Sequence, residues 1–454
     1  MPKLSRTTSS LPVLQPNAAG IDVGATEVYA AVPQDADPQP VRCFETFTAD
    51  LNALADWLKA CGIRTVAMES TGVYWIPVFQ ILDAHGIDVC LVNARHVKNV
   101  PGRKSDVADC QWLQYLHAVG LLQASFRPPQ TVCAIRAIVR HRDTMIAQAA
   151  SHIQHIQKAL SQMNLQVHHV ISDLTGKTGL AILEAILAGE RDPSKLADHR
   201  DPRIKASRET IIKSLEGDWR EEHLFTLRQA YESWKHYQTM IRECDAEIER
   251  MLKDFDGPAD SAEQASEVAP KEAGTAPEPS SLPSAPIAFD LKAELDRILG
   301  SDLTLVPGLG TSSIHRLFSE IGREITAFPT SGHFASWLGL CPDNRISGGK
   351  VLSVKTRKVK HRAATILRLA AQSLHRSPTA LGAYYRRMRT RFGAPKAITA
   401  TAHKLARIIY HLLKNRQPYD ETVFARNEAA YQERRLNRLR REAAALGFQL
   451  ASGS

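Results

Sequence analysis

Residues 19–23, Ala-Gly-Ile-Asp-Val, and residues 28–32, Val-Tyr-Ala-Ala-Val, decide the fold of the first part of the chain. Both are short apolar runs separated by a glycine-containing turn, which is the pattern of two neighbouring strands. Residues 41–47 offer a third strand soon afterwards. The three runs therefore predict a strand meander at the start of a sheet.

Outward from this meander, helix and strand signals alternate along the chain. Helices are predicted near residues 51–60, 75–84 and 105–118, and strands at residues 64–69 and 87–92. A meander followed by alternating elements indicates a mixed sheet covered by helices, which belongs to the α/β class.

A period of seven residues replaces this pattern from Thr131 onward. Apolar side chains recur at heptad spacing from Val132 to Met163 and again from Leu227 to Met251, and Arg142 interrupts the first stretch. Sustained heptads predict long helices that pack side by side. The pattern fits an antiparallel hairpin within one chain and pairing between chains equally well, so both remain open.

Composition divides the remainder of the chain. Residues 254–289 are rich in Pro, Ala, Ser and Glu and poor in large apolar side chains, so they predict a disordered linker. The predicted organisation is a sheet-containing domain at 18–127, a helical coiled-coil region at 128–253, the linker at 254–289, a mainly helical domain at 290–416 and an arginine-rich tail helix at 417–454.

The overall composition excludes several classes of protein. Hydrophobic residues make up 44% of the 454 residues, which rules out a collagen-like or wholly disordered chain. Seven scattered cysteines without a Cys-x-x-Cys pair argue against a disulfide framework or a structural zinc site. No apolar run approaches the ~20 residues of a membrane span, and the start lacks the core of a secretory signal. We therefore expect a cytoplasmic protein with no membrane partner.

The net charge of +9 comes from one segment of the chain. Residues 345–416 hold eighteen Lys and Arg residues and no Asp or Glu, whereas the remainder is net negative. Such a concentrated positive field attracts polyanions and releases counterions from phosphates. Because a solvated helix face normally mixes charges of both signs, the segment predicts nucleic-acid binding.

Four carboxylates occupy unusual places in the first domain. Asp22 interrupts an apolar strand and Glu69 ends another, where an unpartnered charge is costly. Asp106 and Asp109 stand three residues apart, so a helix places both on one face. Each alone is more often a turn former or a solvated surface residue, but their order along strands and helix favours a cation between them. Hard oxygen donors suit Mg²⁺ or Mn²⁺, and two such ions suit phosphodiester displacement.

The order of these motifs resembles one family of proteins. Gly20-Ile-Asp22-Val-Gly24, Met68-Glu69-Ser-Thr-Gly-Val-Tyr, Asn93-Ala-Arg and Lys104-Ser-Asp106-Val-Ala-Asp109 resemble the DEDD transposases of bacterial insertion sequences, whose first domain is similar to the RuvC resolvase. The resemblance implies an RNase H-like, RuvC-like fold over residues 18–127 and a DNA transposase or recombinase activity. It also implies that Asp22, Glu69, Asp106 and Asp109 are catalytic and hold Mg²⁺ or Mn²⁺, as two ions.

The second half of the chain carries a candidate nucleophile. Ser347 lies in a polar, glycine-rich turn at the head of the basic segment, where a serine by itself is an ordinary turn residue. The family has a similar Leu-Gly-Leu-x-Pro followed by Ser-Gly, here residues 338–342 and 347–348, and it implies that Ser347 attacks DNA. The alanine that usually precedes the proline is Cys341 in this chain.

Several residues are predicted to contact nucleic-acid phosphates. Gly308 and Gly310 lie in Leu305-Val-Pro-Gly-Leu-Gly-Thr, which predicts a helix-hairpin-helix-like turn whose N–H groups can approach a phosphate. The other predicted nucleic-acid-binding residues are Arg103, Lys104, Arg345, Lys350, Lys355, Arg357, Lys358, Lys360 and Arg362.

The resemblance also implies partners. They are donor and target DNA, a structured noncoding guide RNA that selects them, and further copies of the chain in a dimer or tetramer, all at the bacterial nucleoid. Two other interpretations remain open. One is a RuvC-like structure-selective DNA nuclease that uses metal-activated water, with Ser347 a bystander. The other is an architectural nucleic-acid-binding protein whose carboxylates are structural.

Overall fold

The computed structural model describes residues 11–70, 72–93, 105–255, 287, 289–357, 359 and 361–449. The chain forms two compact units, of which the first ends at Arg127 and the second begins at Pro128. Of the predicted linker, residues 256–286 and 288 lie outside the described residues. None of the described helices is both long enough and apolar enough to cross a membrane.

The first unit is a mixed five-stranded sheet with helices. The strands are β1 (Ala18–Val23), β2 (Glu27–Ala31), β3 (Val41–Glu45), β4 (Thr65–Glu69) and β5 (Asp88–Val92), and the helices are α1 (Thr48–Ala60), α2 (Trp75–Ala84) and α3 (Asp106–Ala118). The strand order is β3-β2-β1-β4-β5. The first three strands pair antiparallel, and β4 joins β1 and β5 in parallel. The predicted meander and the later alternation are therefore confirmed.

Alternation along β1 gives the two faces of the sheet different neighbours. Ala19 and Ile21 belong to the main apolar core of this unit, with Leu54 and Leu58 of α1. Successive side chains of a strand point to opposite faces, so Gly20 and Asp22 lie on the other face. There α3 packs closely, because a Cβ atom on Gly20 would lie 2.2 Å from the backbone nitrogen of Gln114.

Two long helices dominate the start of the second unit. They are α4 (Gln130–Gln162) and α9 (Glu221–Lys253), and between them lie α5 (Val167–Val170), α6 (Lys177–Leu187), α7 (Pro193–Ala197) and α8 (Arg208–Ser214). Arg142 pairs with Asp245, and His152 stacks on Tyr237 further along, so α4 and α9 run antiparallel. Of the two arrangements left open by the heptads, the structure shows the hairpin within one chain.

The rest of the second unit is helical apart from one small hairpin. Its helices are α10 (Leu291–Leu299), α11 (Thr311–Ile321), α12 (Ser331–Trp337), α13 (Arg362–Ser373), α14 (Ala380–Phe392), α15 (Ala394–Asn415) and α16 (Glu421–Ala445), and its strands are β6 (Arg345–Ser347) and β7 (Lys350–Ser353). Helices α12, α13 and α14 pack around α15, whose Leu405 and Ile409 are fully buried. The predicted tail helix is thus present as α16.

The heptad interruption at Arg142 has a structural cause. Its guanidinium donates to both carboxylate oxygens of Asp245, at 2.5 and 3.2 Å, and both side chains are buried. Asp245→Ala leaves a buried charge without its partner, so we expect the free energy of unfolding to fall by about 3–5 kcal/mol. Urea unfolding followed by circular dichroism measures this change.

Two comparison variants sharpen that measurement. Arg142→Met combined with Asp245→Leu removes both charges and roughly keeps the volume, so it should recover most of the loss. Glu247→Ala breaks an exposed pair with Arg250 on the same helix and should change stability by less than about 1 kcal/mol. Equal losses in Asp245→Ala and the double variant would show that the buried pair is not the cause.

Candidate active site and nucleic-acid interface

Two of the predicted catalytic carboxylates lie side by side at the carboxyl edge of the sheet. Strands β1 and β4 pair in parallel with Ile21 opposite Met68. The next residues along, Asp22 and Glu69, are therefore neighbours, and their side chains leave the same face of the sheet. Both residues are half-buried. The carboxylate in apolar strand β1 and the carboxylate that ends β4 therefore lie next to each other at this edge of the sheet.

Helix α3 supplies the other two carboxylates. Its first turn contains Asp106, which is exposed, and Asp109, which is half-buried. The Ser105 hydroxyl caps this helix by accepting a hydrogen bond from the Ala108 N–H at 3.3 Å. Acidic residues in a first turn are stabilised by the positive end of the helix dipole. The predicted pair therefore starts a helix that packs on the Asp22 face of the sheet.

The thiol of Cys110 shows that the two groups of carboxylates approach each other. Cys110 is buried, and its pKa is raised to about 12, chiefly by burial and then by the negative charge of Asp22, with a smaller contribution from Asp109. A nearby negative charge raises the pKa of a thiol because it disfavours the thiolate. Asp22 of β1 and Asp109 of α3 thus act on the same buried atom.

The donor chemistry suits a hard divalent cation, since all four side chains offer carboxylate oxygens. Within the part of the chain that the structure describes, however, no three His, Cys, Asp or Glu side chains are placed to hold one metal ion. The predicted metal ligation by Asp22, Glu69, Asp106 and Asp109 therefore stays a prediction. Arg103 and Lys104, which precede α3, lie outside the described residues.

Ser347 lies at the tip of the β6–β7 hairpin in the second unit. It is the last residue of β6 and pairs with Lys350 across a two-residue turn. The turn residues Gly348 and Gly349 have φ values of 53° and 75°, the conformation of a type I′ hairpin that glycine adopts without strain. Ser347 is exposed. The predicted glycine-rich turn is confirmed, and it presents the hydroxyl outward.

The hairpin is anchored at its base and uncovered along its length. The Asp343 N–H donates to the Lys355 carbonyl at 2.9 Å, and Pro342 forms a bridge with Thr356. Four apolar side chains beyond this base are exposed by 59–68%: Ile346, Val351, Leu352 and Val354. Exposed apolar groups concentrated on one element are typical of an interaction surface.

The basic residues around the hairpin fall into two groups. Lys350 and Lys355 are exposed, and their side chains make no hydrogen bond or ion pair with another described residue. Arg362 instead binds Asp143 at 3.2 Å, and Arg357 donates to the Ser336 carbonyl. Lys358 and Lys360 lie outside the described residues, as does the side chain of Arg345. The basic segment 345–416 contains no Asp or Glu, so the carboxylate that pairs with its Arg362 comes from α4.

The predicted glycine turn is present before α11. Gly308 has a φ of 89°, and a Cβ atom there would lie 2.7 Å from the Ala370 carbonyl oxygen of α13. Gly310 is the residue that precedes α11. Backbone conformation and close packing account for Gly308, and its predicted contact with phosphate stays a prediction.

The charged seam between α4 and α11 was not predicted from the sequence. Arg140 binds both oxygens of Glu320, the closer at 2.7 Å, and Asp143 binds Arg316 at 3.0 Å. Beside this seam His315 is buried, and its pKa is lowered to about 3 by burial and then by the nearby arginines Arg142 and Arg316. The imidazole is therefore neutral at physiological pH. Arg142 inside an apolar heptad was a signal for its own partner Asp245 and not for the pairs of this seam.

Comparison with known proteins gives this arrangement a class. A family model of the DEDD transposase of IS110 matches residues 19–165, which include the sheet-edge carboxylates. A second, described as the transposase of the IS116/IS110/IS902 family, matches residues 301–386, which include the serine hairpin. No curated protein matches the chain. The two matches together cover just over half of the sequence and define a DNA transposase or recombinase.

The chain belongs to the IS110 family of transposases. Its substrate is therefore DNA.

Proposed function

We propose that the chain exchanges DNA strands with Ser347 as the attacking group. The observation that carries the proposal is the position of Ser347, exposed at a glycine turn within the region matched by the transposase model. Lys350 and Lys355, whose side chains pair with no other described residue, lie in the same hairpin region and can bind backbone phosphates. A nucleophile on a rigid two-residue turn loses little freedom when it meets the scissile phosphate.

The proposed step is an in-line displacement at phosphorus. The Ser347 Oγ forms a bond to phosphorus while the bond to the leaving deoxyribose oxygen breaks. The serine proton passes to a base, and the leaving oxygen gains a proton. The phosphoserine keeps the energy of the broken bond, so the hydroxyl end of another strand can reverse the step and complete the exchange.

The sheet edge supplies the assisting groups in this proposal. We infer that the first unit is RNase H-like, and its mixed five-stranded sheet, with Asp22 and Glu69 at one edge and Asp106 and Asp109 on the helix that packs there, supports this inference. These carboxylates would hold Mg²⁺ or Mn²⁺, and divalent ions bound there would lower the pKa of the attacking hydroxyl and polarise the phosphate. The influence of Asp22 and Asp109 on one buried thiol supports their closeness.

Three further parts of the proposal concern partners. The carboxylates and Ser347 belong to different units, so the reaction requires both units at one phosphate, within one subunit or between subunits of a dimer or tetramer. The uncovered apolar hairpin supports such contacts. Because phosphate contacts carry no sequence information, we propose that a structured noncoding RNA selects donor and target DNA at the bacterial nucleoid.

The test is to trap the covalent intermediate. Purified protein is incubated with labelled DNA carrying the element end and Mg²⁺, quenched with denaturant and separated on a denaturing gel. We expect a protein-linked DNA species that needs the divalent ion, and peptide mapping after nuclease digestion should place the adduct on Ser347. Strand exchange that proceeds without any adduct, or with an adduct on another residue, would contradict the serine mechanism.

A further inference from the structure

Among the described residues, the tail helix α16 contacts the other helices of the second unit through its first half. Glu421 accepts a hydrogen bond from the Ala380 N–H at 2.9 Å. Glu428 binds Arg387 through both oxygens at 2.6 and 2.8 Å, and the same guanidinium lies 4.0 Å from the ring centre of Tyr431. These contacts fix the helix on α14 up to Tyr431.

Beyond Tyr431 the helix continues without support from the rest of the described chain. The polar contacts of residues 432–445 with other described residues all stay within α16, such as Arg438 with Glu442 at 3.4 Å. Every residue from 432 to 445 is exposed except the half-buried Ala443. This second half is therefore a helix surface that the rest of the chain does not use.

The second half of α16 is strongly basic, with a row of arginines on one face and two leucines on the other. Residues 433–445 contain five arginines and two glutamates. Arg434, Arg438 and Arg441 stand at i, i+4 and i+7, so they form one row along the helix. Leu436 and Leu439 lie on roughly the opposite side, exposed by 42% and 38%. The arginine row presents its positive charge to solvent.

Parallel pairing with a second copy of α16 does not explain this surface. Arg435 and Arg440 lie on opposite sides of the apolar positions Leu436 and Leu439. A parallel pair sets Arg435 against Arg440 of the other copy. It therefore places like charges together, which disfavours parallel self-association through this helix.

We propose that the second half of α16 is a binding surface for the phosphate backbone of duplex DNA. Thirteen helical residues extend about 20 Å, which is more than half a turn of the duplex and gives three arginines separate phosphates. This surface lies outside both regions matched by the transposase models. Three arginines of the basic segment, Arg362, Arg357 and Arg387, are engaged within the chain. The tail therefore adds positive charge, five arginines against two glutamates, to the unit that carries Ser347.

The test compares full-length proteins in DNA binding. The variant Arg434→Gln/Arg438→Gln/Arg441→Gln is titrated with a fluorescent duplex of about 30 base pairs over a range of salt concentrations. We expect binding to be about 10- to 100-fold weaker at low salt. The slope of log K against log salt should fall by about 2–3, one contact for each arginine.

The matched control removes the same charge elsewhere. Lys205→Gln/Lys213→Gln/Arg242→Gln changes three exposed residues of the helical region and should alter affinity less than about twofold. An equal effect of both triple variants would overturn the proposal, because net charge would then explain it. An unchanged salt slope in the arginine variant would overturn it as well.

Two further arms identify the ligand. A structured RNA hairpin replaces the duplex in the first, and loss of RNA binding with intact duplex binding would overturn the assignment to DNA. Leu436→Gln/Leu439→Gln is the second, and it should leave duplex affinity nearly unchanged. A larger loss in this leucine variant than in the arginine variant would show that the helix docks on a protein instead. The inference does not rest on Ser347, whose failure as nucleophile would appear in strand exchange and not in these binding curves.

Discussion

Ser347→Ala is expected to lower DNA strand exchange by about 10³-fold or more while leaving DNA binding intact. The hydroxyl is the group that forms the covalent bond in the proposed step, and alanine removes it without touching the hairpin turn. Because Ser347 is exposed at Gly348-Gly349 and packs in no core, we expect an unchanged melting temperature. A gel assay of exchanged product, paired with circular dichroism, measures both.

Ser353→Ala is the matched control for this variant. Ser353 ends β7 in the same hairpin, and its hydroxyl accepts a hydrogen bond from the Lys355 N–H at 3.3 Å, so its loss should cost activity less than about fivefold. The alternatives give different outcomes. A resolvase-type nuclease that uses water would keep cutting DNA in Ser347→Ala, and an architectural protein would yield no product in any variant.

The fold of the first unit could be read from local sequence because its signals are strong and short-range. Val28 to Ala31 and Thr65 to Glu69 are short, mainly apolar runs bounded by turns, and this pattern is typical of buried strands. The long heptads likewise predicted α4 and α9. The heptads did not distinguish a hairpin within one chain from pairing between chains, because the apolar seam has the same pattern in both cases.

The candidate site residues could be selected from the sequence, but the ion-pair partners of the basic residues could not. Asp22 and Glu69 were identified because a charge inside an apolar strand needs a reason. Arg362 was predicted to bind phosphate from its neighbours in sequence, yet the structure pairs it with Asp143, more than two hundred residues away. Arg387 of the same basic segment pairs with Glu428, which lies beyond the end of that segment. Local charge counting fails here, since the acids that neutralise a basic segment come from distant parts of the chain.

Asp22→Asn should reduce strand exchange by about 10³-fold, with duplex affinity unchanged, because an amide is a weaker ligand for a hard divalent cation. The same change should raise the melting temperature in the presence of a metal chelator. Asp22 and Glu69 are adjacent on parallel strands, and Asp109 also lies near the Asp22 side, so neutralising one carboxylate relieves like-charge repulsion. Strand-exchange gels and thermal scans test these two expectations separately.

Asp88→Asn provides the control for this prediction. Asp88 begins β5 at the amino edge of the same sheet and is exposed, so its substitution should change neither exchange nor its dependence on divalent ions. Asp22→Cys adds a direct readout of ligation, because a thiolate binds Mg²⁺ poorly and accepts softer ions better. We expect exchange by Asp22→Cys to be lost in Mg²⁺ and partly restored in Mn²⁺. Full activity of Asp22→Asn, or full activity of Asp22→Cys in Mg²⁺, would place the metal away from this sheet edge.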